Sequence, residues 1–436
     1  MDKLIPYAVL ILMVLMLGVS WKNVAGYKGE ISKEYNRHIQ SAEELVKKEI
    51  YIDAVNEYEA ALSMKPENYE VAMKIVDLYN KLNKEDEYVQ ACKKAISADP
   101  KKEEPYIKLA DYYIASDKYK NAITILNEAQ KEIGENDEII KRMIMVKGQY
   151  TIAVAYDNIV KPLYYINDEN GYAVIEENGL QGLIDENNNV ILECKYDDVS
   201  LLSEGLIPVK SNNEYYCIDS EGYRKLVLDF SADYIGTFNY GYAPVSVSGK
   251  YGFIDAKGKK YKVEYSYAGC FSNGIAPVKK DNKWAIVNTE LKEITGFEFD
   301  EILINEYGFC SDYGVFFAKQ NEEYYLYNNK GEKISEGFED VKMFKSDEPT
   351  AVKKNGKWGY LSKDGKIVIE PEYDDAKSFN IGYAPVLING KWGCIDEKKN
   401  VLITPAFDSM EAFSKNGYAS VKIEGVEKFA VVNIYE

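Results

Sequence analysis

Residues 382–400 read GYAPVLINGKWGCIDEKKN. Two other stretches align with this one without gaps: EPTAVKKNGKWGYLSKDG from Glu348 and GYAPVSVSGKYGFIDAKG from Gly241. Weaker copies begin at four further positions: Gly171, Gly205, Gly274 and Gly314. The sequence therefore contains seven full copies of one short unit. Self-similarity at such a short period indicates stacked structural modules, which usually serve as binding scaffolds.

Each copy has the pattern of paired strands. Apolar residues alternate from Tyr383 to Leu387, a turn follows at Asn389-Gly390, and the chain returns through Trp392. This alternation around an Asn-Gly turn is typical of a β-hairpin. A second turn and a further apolar run complete the unit, so we expect three or four short strands in each.

An aromatic residue recurs ten places after the start of most copies. The equivalent positions are Gln181, Tyr215, Tyr251, Trp284, Tyr324, Trp358 and Trp392. In two copies it lies within Lys-Trp-Gly, at Lys357–Gly359 and Lys391–Gly393. With this motif, residues from about 150 to 436 resemble the WG-repeat (KWG-repeat) family. The pattern departs from the family where Tyr216, Ala285 and Tyr325 replace the glycine, and we expect those units to pack differently.

The ends of the series bear on whether it closes. Residues 151–158 match only the second half of a unit, and the residues from Gly417 onward match only the first half. Together they make an eighth unit. A unit divided between the two ends of the chain favours a closed β-propeller-like ring, because closure removes exposed sheet edges. The units are shorter than the usual propeller blade of ~40 to 45 residues, so an open β-solenoid is the alternative.

The first part of the chain repeats differently. Residues 35–136 divide into three stretches with a period of 34, marked by Ala61, Ala95 and Ala129 and by Pro66 and Pro100. Small residues at fixed positions allow helices to approach closely, and proline marks helix ends. These positions resemble the tetratricopeptide (TPR) pattern, which implies an α-solenoid of helix pairs. We therefore expect a multidomain α-then-β protein, with TPR helical repeats over 31–147 and a WG-repeat β domain over 148–436.

The TPR resemblance implies a groove lined by the first helix of each pair. The family's groove positions correspond here to Asn36, Glu70 and Glu104, to Ile39, Met73 and Ile107, and to Glu43, Asp77 and Asp111. Acidic residues beside apolar ones would favour an extended peptide with basic and apolar side chains. The alternative is an ordinary solvated helix face.

The N-terminal segment is strongly apolar. Leu4 to Trp21 contains no charged side chain, and at roughly 1.5 Å per residue it would span about 27 Å, the thickness of a bilayer's hydrocarbon core. We expect residues 1–30 to form a signal anchor and linker, with a cleaved signal peptide as the alternative. This predicts a single-pass membrane protein whose repeat domains are extracytoplasmic.

Composition limits the partners and the chemistry. The formal charge is -18, of which residues 148–436 carry -15, so nucleic acid is a poor partner. The single histidine, His38, leaves no His-based triad and no common zinc site. Phosphate-binding and dinucleotide-binding glycine motifs are absent from the sequence. We therefore expect no cofactor, no metal and no catalytic residue.

One set of acids recurs at roughly equivalent positions of the β repeats. Its members are Asp157, Asp197, Asp233, Asp300, Glu339, Asp374 and Asp408. Closure of the repeats would arrange them in a ring that could bind a cation or a basic peptide. In the simpler interpretation, each acid caps a turn after its strand.

These features predict a membrane-anchored interaction scaffold. Its TPR and WG repeats would bind a protein, a peptide or a polymer of the cell envelope. The alternative from another class is a carboxylate-dependent hydrolase acting on the envelope. Such an enzyme would need a paired acid and nucleophile, and no carboxylates that break the repeat stand out in the sequence.

Overall fold

A computed structural model describes residues 30–154, 159–166 and 170–432. These residues form two compact units that divide between Val146 and Lys147. The predicted anchor segment and Asp157 lie outside the described residues. Among the residues that are described, no helix is long and apolar enough to cross a membrane.

The first unit is entirely helical. Its seven helices are α1 (30–47), α2 (Tyr51–Met64), α3 (Tyr69–Lys81), α4 (Glu85–Ala98), α5 (Glu104–Ala115), α6 (Tyr119–Ile133) and α7 (Asp137–Lys147).

The predicted small residues explain how the helices pack. Ala61, Ala95 and Ala129 lie in the second helices of the three pairs, and all three are fully buried. Because a methyl group takes so little room, the neighbouring helix can approach each of these positions closely. Asn68 begins α3 by accepting a hydrogen bond from the Val71 backbone N–H at 3.1 Å, the usual role of an N-cap residue. The TPR-like helical stack is thus formed as the sequence predicts.

The second unit consists of eight antiparallel sheets, or blades. Blade 1 contains β2 (Ile159–Tyr165), β3 (Gly171–Glu177), β4 (Leu180–Asp185) and β5 (Val190–Tyr196). Blade 2 contains β6 (Asp198–Val199), β7 (Ile207–Ser211), β8 (Glu214–Ile218) and β9 (Arg224–Leu226). Blade 3 contains β10 (Tyr234–Ile235), β11 (Tyr242–Val247), β12 (Lys250–Asp255) and β13 (Lys260–Tyr265). Blade 4 contains β14 (Tyr267–Ala268), β15 (Ile275–Lys280) and β16 (Lys283–Asn288).

The remaining blades follow the same order with local variations. Blade 5 contains β17 (Glu301–Ile302), β18 (Ser311–Asp312), β19 (Val315–Gln320) and β20 (Glu323–Asn328). Blade 6 contains β21 (Asp340–Val341), β22 (Thr350–Lys354), β23 (Lys357–Leu361) and β24 (Ile367–Tyr373). Blade 7 contains β25 (Asp375–Ala376), β26 (Ala384–Ile388), β27 (Lys391–Ile395) and β28 (Val401–Phe407). Blade 8 contains β29 (Ser409–Met410), β30 (Tyr418–Ile423), β31 (Val426–Val432) and β1 (Tyr150–Val154).

Blade 8 is assembled from both ends of the β region. The strand β1 pairs antiparallel with β31, with Tyr150 opposite Val432 and Val154 opposite Lys428. Blade 8 also contacts blade 1, where the Asn416 side-chain amide donates to the Glu186 carbonyl at 2.7 Å. The predicted eighth unit and the closed, propeller-like ring are therefore confirmed, and the open solenoid is excluded.

The apolar core of the ring lies between neighbouring blades. One cluster joins Cys217 of blade 2 to Ile235 and Val245 of blade 3. Another joins Phe317 of blade 5 to Val352 of blade 6. Each blade therefore buries both of its faces only when both neighbours are present, which is why this repeat needs a closed series.

The motif glycine controls the packing of the fourth strand. A Cβ atom at Gly359 would lie 2.5 Å from the Ile369 carbonyl oxygen and 2.6 Å from the Pro371 nitrogen, both on β24. The glycines at the equivalent positions of three other blades have the same close approach: Gly182, Gly252 and Gly393. In all four blades the fourth strand pairs with a register shift at this point. Glycine is therefore required because backbone occupies the space of a side chain.

Blades that lack this glycine are built differently, as the sequence predicts. Blade 2 has Tyr216 at the position, and its fourth strand is only three residues long. Blades 4 and 5 have Ala285 and Tyr325, and isolated bridges replace the fourth strand. In these two blades a side-chain hydroxyl accepts the backbone N–H that a fourth strand would otherwise bind. The Thr295 hydroxyl accepts from the Ile286 N–H at 2.9 Å, and the Ser335 hydroxyl accepts from the Leu326 N–H at 2.8 Å.

Candidate functional site

The first helices of successive TPR-like pairs are joined by a ladder of ion pairs. Glu43 of α1 accepts from Lys74 of α3 at 2.9 Å. Asp77 lies 3.2 Å from Lys108 of α5. Asp111 in turn binds Arg142 of α7 through two contacts of 2.5 and 2.9 Å. Three of the nine predicted groove residues thus occupy equivalent places, each opposite a base from the next first helix.

The ladder sets the electrostatics of this face. Arg142 donates hydrogen bonds to Asp111 and Glu138, and these bonds raise the pKa of Arg142. The bond that Glu138 accepts from Arg142 lowers the pKa of Glu138. The acid side chains of the ladder are about half exposed, whereas the exposure of the bases falls from 45% at Lys74 to 17% at Arg142. Exposed pairs of this kind contribute about 0 to 1 kcal/mol each. A charged ligand could therefore exchange partners with them at little cost in stability.

Three more predicted groove residues are polar and exposed. Asn36, Glu70 and Glu104 lie on the same face about two turns before the ladder acids of each first helix. Glu104 accepts from the Tyr69 hydroxyl at 3.3 Å and lies 3.7 Å from Lys108. Glu70 has no hydrogen-bond or ion-pair partner among the described residues. The residues named on this face comprise six acids, including the Glu138 partner of Arg142, and three bases, so the set is net negative.

The predicted apolar row is less accessible than its sequence positions suggest. Met73 is only 6% exposed and belongs to the core of the helical unit. Ile39 and Ile107 are partly buried and pack against the same core. Apolar contact with a ligand is therefore available at the two isoleucines rather than along a continuous stripe.

In the ring, the lysine of the repeat motif joins one blade to the next. Lys391 of blade 7 lies 2.6 Å from Asp408, the residue that precedes the first strand of blade 8. The same pair, 17 residues apart, recurs between Lys357 and Asp374. It recurs again between Lys283 and Asp300, and in these two pairs the lysine nitrogen lies 2.5 Å from a carboxylate oxygen. The spacing of 17 places each acid at the blade boundary directly beside the motif lysine.

The acids of this set also cap turns. Asp408 accepts the Gly425 backbone N–H at 3.1 Å, and Asp233 accepts that of Gly249 at 3.0 Å. Glu339 accepts from Gly356 at 3.0 Å. The hydrogen bond from the neighbouring lysine is the main reason that the pKa of Asp408 is lowered. The structure thus gives these carboxylates local partners, whereas their binding of a cation or a basic peptide stays a prediction.

The aromatic residue of the motif is buried at the blade boundary. Trp358 is 4% exposed and Trp392 is 7% exposed. A lysine that directly follows the first strand of the same blade lies near each indole: Lys342 lies 4.8 Å from the Trp358 ring centre, and Lys377 lies 5.7 Å from that of Trp392. Both contacts have the geometry of a cation–π interaction. The aromatic position therefore serves ring assembly.

One carboxyl group, that of Asp312, lies deep in the ring. Asp312 of β18 accepts a hydrogen bond from the Tyr164 hydroxyl of β2 at 2.8 Å. The Tyr307 hydroxyl likewise donates to the Pro162 carbonyl oxygen at 2.8 Å. These contacts join blades 1 and 5, which are opposite members of a ring of eight. Burial raises the pKa of Asp312 to about 6.

Comparison with known proteins agrees with this architecture. The family model described as WG containing repeat matches residues 182–215, 225–251, 251–284, 326–358, 358–392 and 392–426. The C-terminal region contains WG-containing repeats. Within these WG repeats, lysine pairs with the next blade, tryptophan fills the boundary and glycine admits the fourth strand. A second model, ChAPs (Chs5p-Arf1p-binding proteins), matches residues 34–173.

The N-terminal region matches TPR-like folds. The TPR2B domain of yeast Sti1, solved as a pHsp70 complex, is 24% identical with a TM-score of 0.22, and the match covers 26% of this chain and 95% of that one. The Arabidopsis OM64 TPR domain is 18% identical with a TM-score of 0.22, covering 26% and 94%. DnaJ homolog subfamily C member 3 from Bos taurus is 30% identical over 113 residues. That match covers 25% of this chain and 22% of the relative, so the chain spans about a fifth of its length.

Several residues of these surfaces are missed by sequence reasoning alone. The bases Lys74, Lys108 and Arg142 recur every 34 residues, so the period that reveals the acids could also have revealed their partners. The lysine-to-acid spacing of 17 in the WG repeats is likewise visible in the sequence. Asp312 gives no such signal, because its burial depends on the contact between opposite blades.

Proposed function

We propose that this protein is an interaction scaffold that binds an extended polypeptide on the first-helix face of its TPR-like unit. The observation that carries the proposal is the regular series of exposed charges on that face. Glu43, Asp77 and Asp111 repeat once per helix pair, each with a base from the next pair. A ligand with an extended backbone can place successive side chains against successive repeats.

The charge of the face favours a ligand that carries basic side chains. Glu70 offers an exposed carboxylate that has no ion-pair partner among the described residues. Glu104, at the equivalent place of the next pair, is also exposed and has only the two long contacts with Tyr69 and Lys108. Ile39 and Ile107 add limited apolar contact. The ligand we propose is therefore an extended segment with two or more basic residues and interspersed aliphatic ones.

Site-specific photocrosslinking in the cells that produce the protein tests this proposal. A benzophenone amino acid at Glu70 or at Glu104 should capture a discrete polypeptide. The same group at Lys93, which is exposed on the second helix α4, provides the matched control. Identical products from all three positions, or no product from the two glutamate positions, would contradict the proposal.

We further propose that the N-terminal segment anchors the protein in a membrane and that the repeats lie outside the cytoplasm. The support is the uncharged stretch from Leu4 to Trp21. Protease treatment of a C-terminally tagged protein should digest the ring in intact cells whose outer barrier is permeabilised. Protection until lysis would instead assign the ring to the cytoplasm.

A further inference from the structure

We propose that the ring carries a second docking surface, formed by blades 2 and 3, for a short acidic polypeptide segment with an aromatic or aliphatic anchor residue. The surface consists of the turn and strand at 257–262 and the chain segment at 223–230. It is independent of the TPR-like face and of the ligand proposed there.

The basic half of the surface is a cluster of four exposed lysines: Lys257, Lys259, Lys260 and Lys262. No carboxylate among the described residues forms an ion pair with any of them. Two acids flank the cluster in sequence: Asp255 accepts the backbone N–H groups of Lys257 and Lys259 at 2.9 and 3.0 Å, and Glu264 lies 3.7 Å from Lys280. The Asp255 carboxylate is therefore engaged in the turn, and none of the four ammonium groups is neutralised by an ion pair with a described carboxylate. Two of them lie over aromatic rings, Lys259 over Tyr261 and Lys260 over Phe230.

The apolar half results from the missing glycine of blade 2. With Tyr216 at that position, the guanidinium of Arg224 stacks 3.6 Å from the Tyr216 ring centre, and β9 ends at Leu226. The chain beyond it leaves the sheet with Val227 56% exposed. Tyr223, before the strand, is 69% exposed, the largest value among the large apolar side chains of the described residues.

The two halves are in direct contact. A Cβ atom on Gly258 would lie 3.2 Å from a Leu228 methyl carbon and 3.3 Å from one of Leu226. The Lys260 ammonium lies 4.0 Å from the ring centre of Phe230. The lysine turn therefore lies against the segment 226–230, in which Leu228 and Phe230 are half-buried and Val227 is exposed. Asp229 is the single acid in the segment 226–230.

Charge complementarity identifies the occupant. The β region as a whole carries -15, so a long polyanion or an anionic membrane would be repelled by the surface around the patch. A short acidic segment touches only the four lysines, and its aromatic or aliphatic residue can cover Tyr223 and Val227. Burial of that apolar area adds to the electrostatic attraction.

Selection from a displayed library of random 15-residue peptides, with the full chain as target, tests the proposal. Peptides that also bind the variant Lys257→Glu/Lys259→Glu are removed by counter-selection, so that the peptides that remain depend on these lysines. The control Lys363→Glu/Lys366→Glu makes the same charge change in the equivalent turn of blade 6, where both lysines are also exposed. Circular dichroism shows whether each variant is folded, which is expected because all four side chains lie at the surface.

The expected result is enrichment of peptides rich in Asp and Glu that contain at least one aromatic or aliphatic residue. Their affinity should fall at least tenfold in the Lys257/Lys259 variant, severalfold in Tyr223→Ser, and less than twofold in the control, and it should weaken with added salt. Enriched peptides without an acidic excess, or equal loss in both double variants, would overturn the proposal. A DNA duplex or anionic vesicles that bind more tightly than the selected peptides would overturn it as well.

Discussion

Substitution of the motif glycine tests why the WG repeat has this sequence. In Gly359→Ala the new methyl carbon would lie 2.5 Å from the Ile369 carbonyl oxygen, whereas ordinary contact begins at 3.4 Å. The strand β24 must therefore retreat by nearly 1 Å at this point. Overpacking of this kind costs about 1 to 3 kcal/mol. Weakening of the adjacent ladder hydrogen bonds adds roughly 1 kcal/mol.

The free energy of unfolding of the ring should therefore fall by about 2 to 4 kcal/mol in Gly359→Ala. Urea denaturation followed by tryptophan fluorescence measures this, because Trp284, Trp358 and Trp392 all lie in the ring. Gly296→Ala is the matched control, because a methyl group at Gly296 would have no other atom within 4 Å and the backbone there does not have a positive φ. It should be neutral or stabilising by up to about 1 kcal/mol.

The converse change completes the test. Blade 4 already has alanine at the motif position, and its fourth strand is replaced by isolated bridges. Ala285→Gly should therefore cost about 1 kcal/mol from backbone entropy and bring no gain from packing. A loss below about 0.5 kcal/mol in Gly359→Ala, within the usual range of neutral surface changes, would refute the assigned role of the glycine.

Further predictions concern the blade boundary, the middle of the ring and its closure. Asp408→Ala should destabilise the ring more than Lys391→Ala does, because it also removes the acceptor of the Gly425 backbone N–H; equal losses in urea melts would show that the turn does not depend on this hydrogen bond. Burial raises the pKa of Asp312 to about 6 from 3.8, so its proton favours the fold at low pH and this stabilisation is lost as pH rises through 6. As the pH rises from about 4.5 to 7.5, the free energy of unfolding of Asp312→Asn should thus increase by about 1 to 2 kcal/mol relative to that of the wild type. A difference between the two proteins that is independent of pH would contradict this. Deletion of Tyr150–Val154 should reduce amide-exchange protection in Val426–Val432, because the N–H groups that face β1 lose their acceptors while those that face β30 keep theirs. Protection in Lys391–Ile395 should not change, and unchanged protection in Val426–Val432 would show that closure does not depend on β1.

The repeat pattern predicts much of the fold because each unit repeats the same local sequence pattern of strands and turns. The alternation around Asn389-Gly390 predicts the hairpin of β26 and β27, which the structure contains. The divided eighth unit predicts closure, confirmed by the pairing of β1 with β31. The replacements at Tyr216, Ala285 and Tyr325 predict altered packing, and each of these blades has a shortened or missing fourth strand.

Other features depend on which residues meet across the fold, and the sequence does not show them directly. Met73 has the position of a groove residue, yet it is buried because its neighbours enclose it. The acids Asp77 and Asp111 appear free in the sequence, whereas bases from the next helix pair bind them. Asp312 is recognisable only once blades 1 and 5 are known to meet.

The most direct test of the proposed scaffold is the affinity of the full chain for a basic peptide. A fluorescent peptide with three basic and two aliphatic residues, selected on the full chain from a random library, would be titrated by anisotropy. Wild type should bind it saturably and leave it intact by mass spectrometry, and Glu70→Lys/Glu104→Lys should bind at least tenfold more weakly. Unchanged affinity in that variant, or cleavage of the peptide by the wild type, would contradict the assignment of this face as the binding site of a scaffold.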